Sequence, residues 1–116
     1  MANLPQIQGK TPDSKEEVWI AEALYQFQIP FVFQYSILGG SNVRTGMIID
    51  FLITKPPTQT PLEFFGDHWH ENELPGGDLI RLKAMEDYFG VVPLIIWGKD
   101  APTKQAVSQW VRKNIA

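Results

Sequence analysis

The sequence predicts an α/β domain in which a mixed sheet is flanked by helices. Three observations predict it. Helical and strand-like periodicities follow one another in the order α-β-β-β-α-β-α. Glycine, proline and asparagine clusters separate them at the spacing of short connections. Finally, the first three strands form a meander, whereas the fourth is reached through a helix, and that crossover makes the sheet mixed.

Each element has a local cause. Residues 1–12 carry Pro5, Gly9 and Pro12 and read as an irregular arm. Ser14 and Glu17, three apart, form a capping-box pattern that opens a helix from Lys15 to Phe27. Ile29-Pro30 ends it, because a residue before proline avoids the helical region. From Phe31 to Leu38, Phe31, Phe33, Tyr35 and Ile37 alternate with Val32, Gln34 and Ser36, the period of a strand. Gly39 to Asn42 is a turn, and Arg44 lies in the loop after it. Met47 to Ile53 is a second strand, stopped by Pro56-Pro57, and Pro61 to Phe65 a third. A polar loop runs from Gly66 to Gly77. Asp78 is the expected cap of a second helix, which ends at Phe89 before Gly90 in the favoured C′ position. Val91 to Trp97 is the fourth strand. Asp100 or Thr103 caps a last helix to about Asn114.

Composition narrows the function. A chain of 116 residues fits one domain and can bury a core without staples. The absence of cysteine excludes disulfides, thiolate metal sites and a cysteine nucleophile, and fits a reducing, cytoplasmic setting. Met1 to Lys10 has no apolar core of a signal peptide, and no apolar run approaches a membrane span. The net charge of −3 argues against coating nucleic acid by bulk charge, but leaves room for a local patch assisted by metal ions.

The residues that can carry chemistry stand out against apolar surroundings. Asp50 interrupts the run Met47-Ile48-Ile49-Asp50-Phe51-Leu52-Ile53. A buried carboxylate there needs a partner: a metal ion, an arginine or water at a strand end. The simpler alternative is that it points to a solvated face. Glu63 repeats the pattern in the next strand. Two such acids converging at one sheet edge would offer the oxygen ligands that hard divalent cations prefer. Glu17 shares a helix face with Ile20, Ala21 and Leu24, so it reaches into a polar site or serves the cap. The loop residues Asp67-His68-Trp69-His70-Glu71 hold both histidines. If extended, His68 and His70 point the same way, as acid–base groups, metal ligands or ordinary solvated side chains. Trp69 stands in polar company, where stacking on a base is one use for it, while Trp19, Phe51, Phe64, Phe65, Trp97 and Trp110 read as core. Asp78 and Arg81 are one helical turn apart; Arg81 would face a phosphate, pair with a carboxylate such as Glu17 or Asp50, or lie on a solvated face.

These strings resemble a known group. Met47 to Ile53, Leu62-Glu63-Phe64-Phe65-Gly66-Asp67-His68-Trp69-His70, Asp78-Leu79-Ile80-Arg81 and Tyr88 to Trp97 are similar to the very-short-patch-repair endonucleases, with their glycine and then aromatic-Trp-His run. They are also similar to a bacterial domain group of the same fold, with a strand Asp, then Glu-x-Asp-Gly-x-x-His, then Asp-x-x-Arg. Both belong to the restriction-endonuclease-like PD-(D/E)xK superfamily. The likeness covers about residues 14 to 97 and implies the αβββαβ core of that superfamily, here with an added C-terminal helix. It implies that Asp50 is the metal-binding aspartate and Glu63 the second acidic ligand. Glu17 matches a glutamate of the first helix, His70 the histidine that serves as base or metal-site partner, Trp69 the DNA-contacting tryptophan, and Asp78 and Arg81 the pair opening the next helix. The chain departs from the pattern at Phe65, where the superfamily carries lysine and the second group aspartate, and repair enzymes lack a glutamate at the place of Glu63. Lys83 or Lys55 are the candidates to replace the missing lysine in space.

Two classes of function follow. The first is a Mg²⁺- or Mn²⁺-dependent DNA endonuclease or nickase, a repair-type hydrolase in which Asp50 and Glu63 hold the metal, His70 and Glu17 assist, and Arg44, Arg81, Lys83 and Trp69 meet DNA. The second, favoured by Phe65 and the acidic charge, is a catalytically silent domain of that fold that binds nucleic acid or serves in assembly. A zinc enzyme built on the histidines is a distant third. A domain this small has little surface for target recognition, so a homodimer or a larger complex is expected.

Overall fold

The computed structural model describes residues 4–37, 46–66 and 76–116. Helix α1 spans Lys15–Gln26 and begins as its cap predicts: the Ser14 hydroxyl accepts the Glu17 N–H at 3.2 Å. It ends in a Schellman turn. The Ile29 N–H bonds the Leu24 carbonyl at 2.9 Å and the Gln28 N–H bonds that of Tyr25 at 3.0 Å, with Gln28 at a positive φ of 56°. Pro30 then starts the chain into the sheet.

Strands β1 (Phe31–Ile37), β2 (Met47–Ile53), β3 (Thr60–Phe65) and β4 (Leu94–Trp97) form one sheet in that spatial order. β1 and β2 are antiparallel, as are β2 and β3, while β4 runs parallel to β3. The expected meander and crossover are therefore both present, in a mixed sheet flanked by helices. Along the free edge of β1 lies the N-terminal arm. The Gln8 side-chain amide donates to the Phe31 carbonyl and accepts from the Phe33 N–H, and Ile7 is buried in the core.

Helix α2 spans Gly76–Phe89 and so starts two residues before the expected cap. Asp78 lies inside its first turn, where a negative charge still suits the helix N-terminus. Gly90 ends the helix at φ +74°, and its N–H reaches the Glu86 carbonyl at 2.8 Å. β4 starts at Leu94 rather than Val91, since Pro93 has no N–H to give a ladder. Of the two proposed caps of the last helix, Thr103 caps α3 (Lys104–Asn114), accepting the Ala106 N–H at 3.1 Å. Asp100 instead accepts the Trp97 N–H at 3.3 Å, closing a short 3-10 turn.

Two apolar clusters hold the layers together. Ile20 and Leu24 of α1, Val107 and Val111 of α3, and the sheet residues Phe33, Phe51, Leu62 and Ile96 make the larger one. α1 and α3 are further pinned by Lys104–Glu22 and by Ser108–Gln26. The smaller cluster joins Met85 of α2 to Ile37 and Ile49. Met85 is the buried residue of α2, and Leu79, Ile80 and Tyr88 of that helix stay exposed. Among the described residues, no helix is long and apolar enough to cross a membrane.

Candidate carboxylate site

The site arises where β2 and β3 part. Their pairing comprises Ile53↔Thr60, Leu52↔Pro61 and Phe51↔Leu62. The next step of that register sets Asp50 opposite Glu63. There side chains replace the ladder: the Asp50 N–H donates to Glu63 Oε2 at 2.7 Å, and the Phe64 N–H donates to Asp50 Oδ2 at 3.0 Å. Each carboxylate thus holds the backbone of the opposite strand. This reciprocal exchange explains how two acids survive in apolar strands, because buried backbone donors and buried acceptors satisfy one another. The solvated-face alternative for Asp50 does not hold: it is half-buried, and Glu63 is only 1% exposed.

Arg81 comes to the pair from α2. Its Nη1 donates to Glu63 Oε1 and its Nη2 to the Ile48 carbonyl, so one guanidinium spans β2 and β3. The sequence suggested Glu17 or Asp50 as its ion-pair partner. The partner is Glu63.

Glu17 approaches from α1 and fills both roles the sequence left open. Its Oε1 accepts the Asp13 N–H at 2.8 Å, as a cap group, while the side chain is buried and lies within the field of Asp50. Burial pushes its carboxyl up to about 7, against the pull of the Asp13 N–H, and the Asp50 charge adds to the rise. Asp50 and Glu63 are also pushed upward, chiefly by burial. The Phe64 N–H and the Arg81 charge oppose this at Asp50; at Glu63 the Asp50 charge reinforces it and Arg81 opposes it. Asp13 is a further acid whose charge bears on both Glu17 and Asp50. It went unremarked in the sequence, where its place just before the Ser14 cap was the available signal.

The other candidates divide. Lys83 is on the exposed face of α2, paired with Asp87 at 3.2 Å, and Lys55 donates to the Ile115 carbonyl. Neither replaces the missing lysine. Phe65 is buried with its ring 5.4 Å from that of Trp97, a packing role. His68, His70, Trp69 and Arg44 lie outside the described residues.

No family model, curated protein or solved structure matches the chain. Asp50 and Glu63 meet one guanidinium, with Glu17 near enough for the Asp50 charge to act on it, so negative charge is in excess and all three carboxyls are pushed upward. Oxygen donors from two adjacent strands suit a hard cation. Among the described residues, no three His, Cys, Asp or Glu side chains surround one point. Mg²⁺ is commonly held by only one or two carboxylates, its remaining ligands being water and substrate phosphate. Asp50 and Glu63 meet that requirement.

Proposed function

We propose that this domain is a metal-dependent DNA endonuclease or nickase that hydrolyses phosphodiester bonds, on a restriction-endonuclease-like αβββαβ core with an added C-terminal helix. The observation that carries the reading is the Asp50–Glu63 junction. Two acids face each other where β2 and β3 separate, each locked by a backbone N–H of the other strand. Such locking fixes carboxylate positions without consuming all their lone pairs, as a metal site requires. A bound Mg²⁺ or Mn²⁺ would polarise the phosphate, neutralise its charge and make a water more acidic.

The chain's own residues supply the rest of the reading. Asp50 and Glu63 bind the cation from β2 and β3. Glu17, whose carboxyl is poised near neutral pH, sits in the field of Asp50 and can hold or release a proton beside the pair. His70 is the proposed base, and Trp69, Arg44, Arg81 and Lys83 the proposed DNA contacts. DNA as the substrate and the roles of His70 and Trp69 rest on the resemblance of residues 62–70 to the repair endonucleases, that of Arg81 on the Asp78-x-x-Arg81 match, while Arg44 and Lys83 are proposed as cations suited to phosphate contacts. A homodimer or a larger complex would extend the small DNA-facing surface, and a cytoplasmic setting fits the cysteine-free chain.

A second reading has its own observations. Phe65 packs on Trp97 where a polar group belongs in the superfamily, and Arg81 already neutralises Glu63. Both suit a silent, nucleic-acid-binding or assembly domain. Cleavage separates the two. Supercoiled plasmid and branched and mismatched duplexes would be incubated with protein in Mg²⁺, Mn²⁺ or EDTA, alongside Asp50→Ala and Glu63→Ala. Metal-dependent nicking lost in both variants is the expected result. A folded, metal-supplied protein that cuts none of these substrates would leave the silent domain as the answer.

A further inference from the structure

Arg81 is held in a way that a simple phosphate-binding arginine would not need. One amino group of its guanidinium donates to Glu63 Oε1 and the other to the Ile48 carbonyl. It lowers the proton affinity of both Asp50 and Glu63. Lys83, two residues further along the helix, is paired with Asp87 at the surface and does not share this task. The same guanidinium also anchors α2. Leu79 and Ile80 are exposed, and Met85, the buried residue of the helix, lies a full turn further on. The first half of α2 is therefore held by Arg81 together with Leu82, which packs at the edge of the Met85 cluster.

We infer that Arg81 is a built-in counterion that competes with a divalent cation for the Asp50–Glu63 pair, and that its displacement loosens the first half of α2. The inference rests on the metal-dependent reading. The physical reason is direct. A doubly charged ion on Glu63 and a guanidinium on the same carboxylate repel one another at a few ångströms in a poorly solvated place. The ion also competes for Glu63 Oε1, which Arg81 already engages. With its side chain 27% exposed, Arg81 has a route outward. Once released it is a free, planar cation beside the site, suited to a phosphate oxygen. The site thus carries a positive charge whether or not the ion is bound, and Glu63 is never left buried without a partner.

Mn²⁺ alone is the probe. Its affinity would be measured by calorimetry at pH 8.5, where proton competition for the raised carboxylates is weaker than at neutral pH, for the wild-type chain, Arg81→Met and Arg81→Lys, with folding checked by circular dichroism. Amide exchange in α2 would be followed with and without Mn²⁺. Arg81→Met is expected to bind Mn²⁺ about tenfold more tightly or better, since one fixed opposing charge is gone. Arg81→Lys, which cannot fork between Glu63 and Ile48, is expected to fall between, and it decides the matter if Arg81→Met fails to fold. Mn²⁺ should speed exchange around residues 79–82 in the wild type, and the Met variant should exchange fast without it. Binding by the variants that is equal to or weaker than wild type would overturn the counterion role while leaving the metal reading intact. No Mn²⁺ binding by any folded form would remove both.

Discussion

Glu17→Gln is expected to stabilise the protein at pH 8 and not at pH 4.5. The glutamate carboxyl moves from an ordinary value of 4.5 to about 7 in the fold, first because it is buried and then because Asp50 is near. At about 1.4 kcal/mol per unit, that shift corresponds to about 3 kcal/mol of disfavoured ionisation. The sign follows from linkage. Below pH 4.5 the group is protonated in both states and carries no penalty. As pH rises toward 7 the unfolded chain gives up its proton first, so stability falls. Above about 7 the folded chain carries a buried charge and the penalty is complete. Glutamine has no such slope, keeps the shape and still accepts the Asp13 N–H. The shift already contains the pull of the Asp13 N–H on the charged form, so the gain expected at pH 8 is about 3 kcal/mol. Urea unfolding of both proteins, metal-free, from pH 4.5 to 8.5 measures it. Parallel stability curves across that range would refute the reasoning, because Glu17 would then titrate like a solvated acid outside the shared field.

Met85→Ala should cost about 2–5 kcal/mol, because Met85 is fully buried against Ile37 and Ile49, and α2 amides should lose exchange protection before the rest of the domain. Ser14→Ala should cost about 1 kcal/mol in urea unfolding through loss of the α1 cap, with Ser14→Asp close to neutral.

The fold was legible wherever a local cause dominates. Ser14 and Glu17 announce α1, the apolar run on either side of Asp50 marks β2 to the residue, and Gly90 takes the left-handed position that ends α2. Boundaries slipped where the cause is not local. Gly76 and Gly77 have poor helix propensity, yet they start α2 ahead of Asp78, carried by contacts farther along the helix, the Arg81 fork and the packing of Leu82 and Met85. The site was legible as residues and not as contacts. An acid in an apolar strand signals a need for a partner, so Asp50 and Glu63 could be singled out. Their exchange of backbone N–H groups depends on β2 and β3 separating after Phe51↔Leu62, a tertiary event with no signature in either strand. The choice of Glu63 by Arg81 is likewise a tertiary contact between α2 and β3 that neither segment announces.

All of this turns on whether the junction between β2 and β3 holds a divalent cation. Crystals of the wild-type protein soaked in Mn²⁺, with diffraction collected at the manganese absorption edge, test it most directly. A single strong anomalous peak within bonding distance of Asp50 and Glu63 oxygens, absent from Asp50→Asn crystals, is the result expected. A Mn²⁺-soaked, well-ordered junction without a peak, its Glu63–Arg81 pair intact, would contradict the metal-dependent reading.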